Sequence, residues 1–297
     1  MATLPVTVIG GYLGAGKTTL VNHLLRHANG RRLAVLVNEF GALPIDEDLI
    51  EAQDDDLISI AGGCICCTFG SDLSEALIAL AGRFPRPDHV IIESSGVAMP
   101  GAIGASIGLL DEFNLAAVVV LADSETVRMQ AADEYLGDTT LRQLSDAHLL
   151  IQTKTDLVDE SELETVDAWL ASVNGRAARV QASHGVVPID VVLGQSHDPA
   201  YVSSAVHADA AFESRVFTLE RPCDPIGLAN QLARGAFGVV RGKGFVCDHA
   251  GQRHVIQTVG ARAQTAHFDG EVATEVVCIG LRGQLDHSGL VALFDAL

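Results

Sequence analysis

Residues 10–19 read GGYLGAGKTT, and this segment constrains the chain more than any other. Gly11-x-x-x-x-Gly16-Lys17-Thr18 follows an apolar run, Val6–Gly10, and opens an apolar helical pattern from Lys17 to about His27. A strand that turns directly into a helix through glycines gathers backbone N–H groups at one point, at the helix end that favours negative charge. That arrangement is a phosphate loop, and its spacing matches the Walker A pattern. Gly11, Gly14, Ala15 and Gly16 form the turn, with Lys17, Thr18 and Thr19 opening the helix. Lys17 is expected to place a positive charge on the β- and γ-phosphates. The Thr18 hydroxyl is a hard oxygen suited to Mg²⁺.

A loop of this kind needs a parallel sheet behind it, and the first ~190 residues alternate accordingly. Strand runs are expected at Val6–Gly10, Arg32–Asn38, Leu57–Ile60, His89–Glu93, Ala116–Leu121, Leu149–Gln152 and Arg179–Ala182. Helices are expected from Asp72, through Glu125–Leu144, and after Ser161, where Ser161 and Glu164 fit a capping box. This order predicts an α/β P-loop NTPase domain with a mostly parallel sheet over residues 1–192. Residues 193–211 are small and polar and read as a linker. Residues 212–297 follow as a smaller α+β domain, with strand Arg215–Leu219, helix Pro225–Arg234, several strands up to Ile279 and a closing helix near Ser288–Ala296.

Two further segments suit the phosphate loop. The run HVIIESSG ends a strand in Glu93, which can hold Mg²⁺ through water, and Gly96 then frees a backbone N–H for the γ-phosphate. The run LLIQTKTD supplies Thr153-Lys154-x-Asp156 at the end of a later strand. Guanine-specific enzymes carry Asn-Lys-x-Asp there. The carboxylate accepts from guanine N1–H and N2–H, and the lysine stem covers the base. Asp156 and Lys154 therefore favour GTP over ATP. Thr153 in place of Asn is expected to lose the amide that braces the loop.

Three of the six cysteines, Cys64, Cys66 and Cys67, fall within four residues after Gly62-Gly63. Clustered thiolates suit Zn²⁺ or a similar ion in a tetrahedral site, with packing or a redox role as the alternatives. Cys223, Cys247 and Cys278 read as small buried hydrophobes. His23 and His27 lie one helical turn apart and read as surface or packing residues. His197 and His207 read as solvated, as do the acids Asp46–Asp48 and Asp54–Asp56.

Charge narrows the partners. Acids outnumber bases 38 to 19, a net charge of −19. Such a surface argues against nucleic acid and anionic lipid. No apolar run is long enough to span a bilayer, and no leader-like segment precedes the first strand, so the expected compartment is a reducing cytoplasm.

Together these residues resemble the CobW-type metallochaperone GTPases. The likeness rests on GGYLGAGKTTL, VNEFG with Ile45-Asp46, GGCICC, ESSG, TKTD, Arg241-x-Lys243-Gly244 and the closing IGLRGQLD. It implies GTP hydrolysis coupled to binding and delivery of a transition metal, Zn²⁺ or Co²⁺, to a client metalloprotein. It implies that Val37–Asp46 is a switch and that Glu39 serves the metal or the γ-phosphate end. A homodimer is compatible with it. Three positions depart from the family pattern. Ala42 stands where many relatives have Glu, which removes an oxygen ligand; Thr153 replaces Asn; and a histidine-rich linker is absent. Two other functions fit parts of the pattern: an ATP-using P-loop enzyme with structural cysteines, and a non-catalytic nucleotide-responsive metal sensor or store.

Overall fold

The computed structural model describes residues 3–37, 57–59, 72–194, 211–270 and 272–297. These residues divide into two compact units that meet in sequence near Leu193 and Gly194, with Arg176–Arg179 grouped with the second.

The first unit is built on a seven-stranded sheet. Its strands are β1 (Leu4–Gly11), β2 (Leu33–Val37), β3 (Leu57–Ser59), β4 (His89–Glu93), β5 (Phe113–Asp123), β6 (Leu149–Thr153) and β7 (Ala178–Gln181), in the spatial order β3-β2-β4-β1-β5-β6-β7. The pairs β2–β3, β2–β4, β1–β4, β1–β5 and β5–β6 are parallel. Strands β2, β4 and β6 are buried along their whole length, which is why they read as continuous apolar runs rather than alternating ones. The helices of this unit are α1 (Lys17–Arg26), α2 (Asp72–Ala81), α3 (Pro100–Ile107), α4 (Val127–Ala132), α5 (Gly137–Asp146), α6 (Glu160–Val173) and the short α7 (Ile189–Val192).

Some expected elements changed. The helix expected over Glu125–Leu144 is two helices, α4 and α5. Between them the Asp133 carboxylate accepts from the N–H groups of Tyr135 and Leu136 at 2.8 and 3.0 Å, which supports a turn where a continuous helix would run. The cap of α6 is Asp159, whose Oδ1 accepts from Glu162 N at 2.9 Å. Ser161 lies inside the first turn, so the cap expected on Ser161 falls two residues earlier, and no box forms there, the Glu162 Oε1 pairing instead with Arg128 at 3.3 Å. Helix α3, with Pro100 at its first position, was not expected from the sequence.

The second unit is a five-stranded antiparallel sheet. It comprises β8 (Phe212–Thr218), β9 (Val239–Cys247), β10 (Arg253–Val259), β11 (Arg262–His267) and β12 (Glu275–Leu281), in the order β11-β10-β9-β12-β8. Its helices are α8 (Pro225–Ala233) and α9 (His287–Asp295). Leu228 and Leu232 of α8 and Leu290 of α9 join Val246, Ile256, Val276 and Cys278 in one apolar core. Cys223 and Cys278 are buried as expected, and burial pushes their thiols up to about 11 and about 12 respectively. Cys247 is only half-buried.

The cap at α6 gives a direct test. Asp159→Ala is expected to lower stability by ~1 kcal/mol, the usual cost of losing an N-cap side chain, and Ser161→Ala by a few tenths at most. Urea unfolding followed by circular dichroism distinguishes the two, and a larger loss at Ser161 would contradict the cap assignment.

Candidate functional site

The C-terminal ends of β1, β4, β5 and β6 lie side by side, and each hands its chain to a loop carrying residues singled out above. This is the end of an open parallel sheet where ligands are accommodated.

Gly11 closes β1, and the loop turns through Gly14 and Gly16 at φ 76° and 96°. Those left-handed values favour glycine over any other residue. Ala15 is buried and its N–H donates to the Tyr12 carbonyl at 3.1 Å. Lys17 is buried, and its Nζ donates to the carbonyls of Gly11 and Tyr12 at 3.0 and 3.3 Å. The ammonium therefore lies folded against the loop it belongs to. Thr18 Oγ1 donates to Glu93 Oε1 at 2.8 Å, so the first turn of α1 and the tip of β4 meet through two hard oxygens. Thr19 is exposed on the same turn.

Past Glu93 the chain folds over the phosphate loop. Ser94 N donates to the Ile9 carbonyl at 2.9 Å, and Ala98 N to Ser95 O at 3.1 Å. A Cβ on Gly96 would stand 2.7 Å from the backbone nitrogen of Leu13. Only glycine lets this segment lie so close to the loop. Gly96 also has a partner that the sequence did not reveal. Gln143 of α5 is 1% exposed, and its Nε2 donates to the carbonyls of Gly96 and Ala98 at 3.0 and 2.8 Å.

The end of β6 carries the residues expected to read the base. The brace expected to be lost with Asn is present in another form: Thr153 Oγ1 donates to the Ala15 carbonyl at 2.9 Å, tying β6 to the phosphate loop. Lys154 takes the left-handed conformation (φ 55°), and its Nζ pairs with Asp123 Oδ2 at 2.7 Å. Asp123, the buried last residue of β5, was not singled out by sequence; its only signal was an acid ending an apolar run. Ser183 was not singled out either. Its hydroxyl donates to Asp156 Oδ1 at 2.7 Å, while His184 Nε2 lies 3.6 Å from Oδ2. That hydroxyl, first among several hydrogen bonds and the nearby imidazole, holds the Asp156 carboxyl below the ordinary carboxylate range.

The cysteines Cys64, Cys66 and Cys67, together with Glu39, Ala42 and Asp46, lie outside the described residues. Among the described residues no group of three or more His, Cys, Asp or Glu side chains is placed to hold a metal ion. The His23 and His27 rings lie against each other, tilted by 31° with centroids 4.3 Å apart, and the His27 ring bonds the His23 carbonyl, in keeping with a surface or packing role. No helix among the described residues is long and apolar enough to cross a membrane.

The fold and this loop constellation define a P-loop nucleotide-binding protein. The family profile "CobW/HypB/UreG, nucleotide-binding domain" matches residues 5–181, and that of the cobalamin synthesis protein cobW C-terminal domain matches residues 212–297. The chain belongs to the CobW/HypB/UreG family. It is 33% identical to a Sinorhizobium protein named zinc chaperone CobW, over 99% of this chain and 97% of that one. It is 30% identical to zinc-regulated GTPase metalloprotein activator 1 of Dictyostelium discoideum, over 82% of this chain and 62% of the relative. Among solved structures, Zn(II)-bound YjiA GTPase from E. coli matches the whole chain at 24% identity with a TM-score of 0.47.

The Ser183–Asp156 contact predicts a measurable titration. Because the folded value is depressed, the contribution of the Asp156 charge is lost only as pH falls through the lowered value. In Ser183→Ala the midpoint is expected to rise toward the usual 3.8. Carboxyl ¹³C NMR of Asp156 measures the shift, and an unchanged midpoint would remove Ser183 as its cause.

Proposed function

We propose that the chain is a GTPase that carries a transition metal, zinc in the first place, and gives it up to a client metalloprotein according to the nucleotide bound. The guanine part rests on one observation above the rest: Asp156, on the loop after β6, is oriented by the Ser183 hydroxyl, which donates to its Oδ1 at 2.7 Å, beside a Lys154 whose Nζ pairs with Asp123 at 2.7 Å. An ionised carboxylate there accepts from both guanine N1–H and N2–H, whereas adenine offers no such pair of donors.

Lys17 and the N–H groups of residues 14–19 take the phosphate oxygens. To do so Lys17 exchanges its bonds to the Gly11 and Tyr12 carbonyls for the β- and γ-phosphates. The Gly96 N–H serves the γ-phosphate end. The donor chemistry beside them suits Mg²⁺: Thr18 Oγ1 and Glu93 Oε1 are hard oxygens 2.8 Å apart, one to ligate directly and one through water. Mg²⁺ there would neutralise charge on the phosphate oxygens. Water attacks the γ-phosphorus in line and GDP leaves, with stabilisation supplied by Lys17 and the loop amides.

The metal part is supported by the names of the relatives, which speak of zinc rather than cobalt. In this reading Cys64, Cys66 and Cys67 supply thiolates to one tetrahedral ion, joined by Glu39 or another oxygen. The cysteine segment stands in sequence between the Val37–Asp46 switch and β4, so it is joined along the chain on both sides to segments that serve the γ-phosphate end in this reading. A reducing cytoplasm would keep these thiols free.

Nucleotide binding, turnover and metal binding each test the proposal. Lys17→Ala is expected to abolish triphosphate binding, and ATP is expected to compete far less well than GTP in a fluorescent-nucleotide displacement assay. Equal competition would sink the guanine assignment. Basal turnover is expected near the ~10⁻⁴–10⁻² s⁻¹ of unassisted switch GTPases, measured as phosphate release. Co²⁺, used as a spectroscopic stand-in for zinc, is expected to give a thiolate charge-transfer band. That band should be stronger with Mg²⁺ and GTP than with GDP, should weaken as pH is lowered because each thiol must lose a proton, and should vanish in the Cys66→Ser, Cys67→Ser double variant. A band indifferent to nucleotide would overturn the gating.

A further inference from the structure

We propose that Gln143 is a positioning residue that holds the Gly96 segment in place for the γ-phosphate, and that α5 ties this segment to the base-reading side of the site. The proposal rests on the proposed function, in which the Gly96 N–H meets the γ-phosphate.

The segment after β4 is held from two sides. On one side Gly96 lies against the backbone of Leu13 in the phosphate loop. On the other, both hydrogens of a single buried amide go to the carbonyls of Gly96 and Ala98, at 3.0 and 2.8 Å. Those two carbonyls belong to one turn, closed by the Ala98 N–H on Ser95 O. Two bonds from one rigid planar group fix the orientation of that turn as well as its position. A buried carbonyl left without its donor costs ~1–3 kcal/mol, so the turn cannot rotate away cheaply while Gln143 stays in place. Three residues on, Asp146 repeats the grip: its carboxylate accepts from the Gly101 N–H at the start of α3, and partial burial raises its pKa against the lowering effect of that bond.

Helix α5 is itself anchored. The Asn174 side-chain amide, at the end of α6, donates to the carbonyls of Leu144, Ser145 and Ala147 at 2.9, 3.1 and 3.0 Å. Helix α6 in turn begins three residues after the Thr155–Leu157 turn that carries Asp156. The chain itself joins the base-reading loop to α6, the Asn174 bonds join α6 to α5, and the Gln143 bonds join α5 to Gly96. The mechanical effect is to keep the γ-phosphate segment registered against a fixed body rather than against solvent.

The consequence is selective. GDP has no γ-phosphate, so loosening the Gly96 turn should leave GDP affinity almost untouched and weaken only the triphosphate. The test uses the full chain, with GDP and a non-hydrolysable GTP analogue, each measured by calorimetry, and single-turnover hydrolysis of GTP. Gln143→Met keeps length and apolar volume but removes both donors. It is expected to weaken the analogue ~10-fold, to leave GDP within ~2-fold, and to lower the hydrolysis rate at saturating GTP. Asp146→Ala, on an exposed residue, is expected to act in the same direction by a few-fold, and it carries the test if Gln143→Met does not fold. Asp146→Asn, which keeps an acceptor for Gly101, should restore wild-type behaviour. Equal weakening of GDP and analogue, or no change in either, would overturn the proposal. Gly96→Ala separates the two levels of the argument. If it spares the preference for the analogue, the γ-phosphate reading of Gly96 fails and the proposal with it. If Gly96→Ala removes that preference while Gln143→Met and Asp146→Ala do not, the bracing proposal alone fails.

Discussion

Everything in the site depends on β1 being a parallel strand paired on both edges, to β4 on one side and β5 on the other. β1 is buried along nearly its whole length and has both edges occupied, so its side chains can do little but pack. The chemistry must then come from the loop beyond its C-terminal end. Because neighbouring parallel strands all finish at the same edge of the sheet, the loops after β1, β4, β5 and β6 arrive together without any of them having to reach. The phosphate loop, Glu93, Asp123 and Thr153 are neighbours for that reason, although the chain between the first and the last is long.

Local patterns in the sequence report such a site unevenly. The Gly11–Thr18 loop, the Glu93 strand end and the Thr153–Asp156 run were legible because each is contiguous and stands at the end of an apolar run. The mostly parallel sheet was legible from the same runs, and its strand order was not. The partners of Asp156 and Gly96 stayed hidden. Ser183 lies 27 residues from Asp156 and Gln143 lies 47 from Gly96. Neither partner belongs to a pattern, since a serine after a strand or a glutamine on a helix has many ordinary uses. The division of Glu125–Leu144 into α4 and α5 was hidden for a related reason. The apolar spacing runs through the break, and the break is supported by one aspartate whose side chain prefers its neighbours' N–H groups to water. The α6 cap was displaced because Asp159 and Ser161 are both good caps, and only the tertiary position of the helix start decides between them.

The second unit was read correctly as strands and helices but yielded less chemistry. Its buried thiols, Cys223 and Cys278, are pushed far from the range in which a thiol ionises, and that agrees with a packing role. The residues that read as chemistry in this chain, apart from the cysteine segment, belong to the first unit.

One contact bears on how such sites are found at all. The Thr153 hydroxyl reaches the Ala15 carbonyl across 138 residues of sequence. The position is buried, so an asparagine there would need more volume and would bring a second donor and an acceptor needing partners of their own. The architecture requires one hydrogen aimed at one carbonyl, and a hydroxyl meets that requirement as well as an amide does. A search that insists on the amide would therefore discard this chain for the one difference that leaves the brace standing.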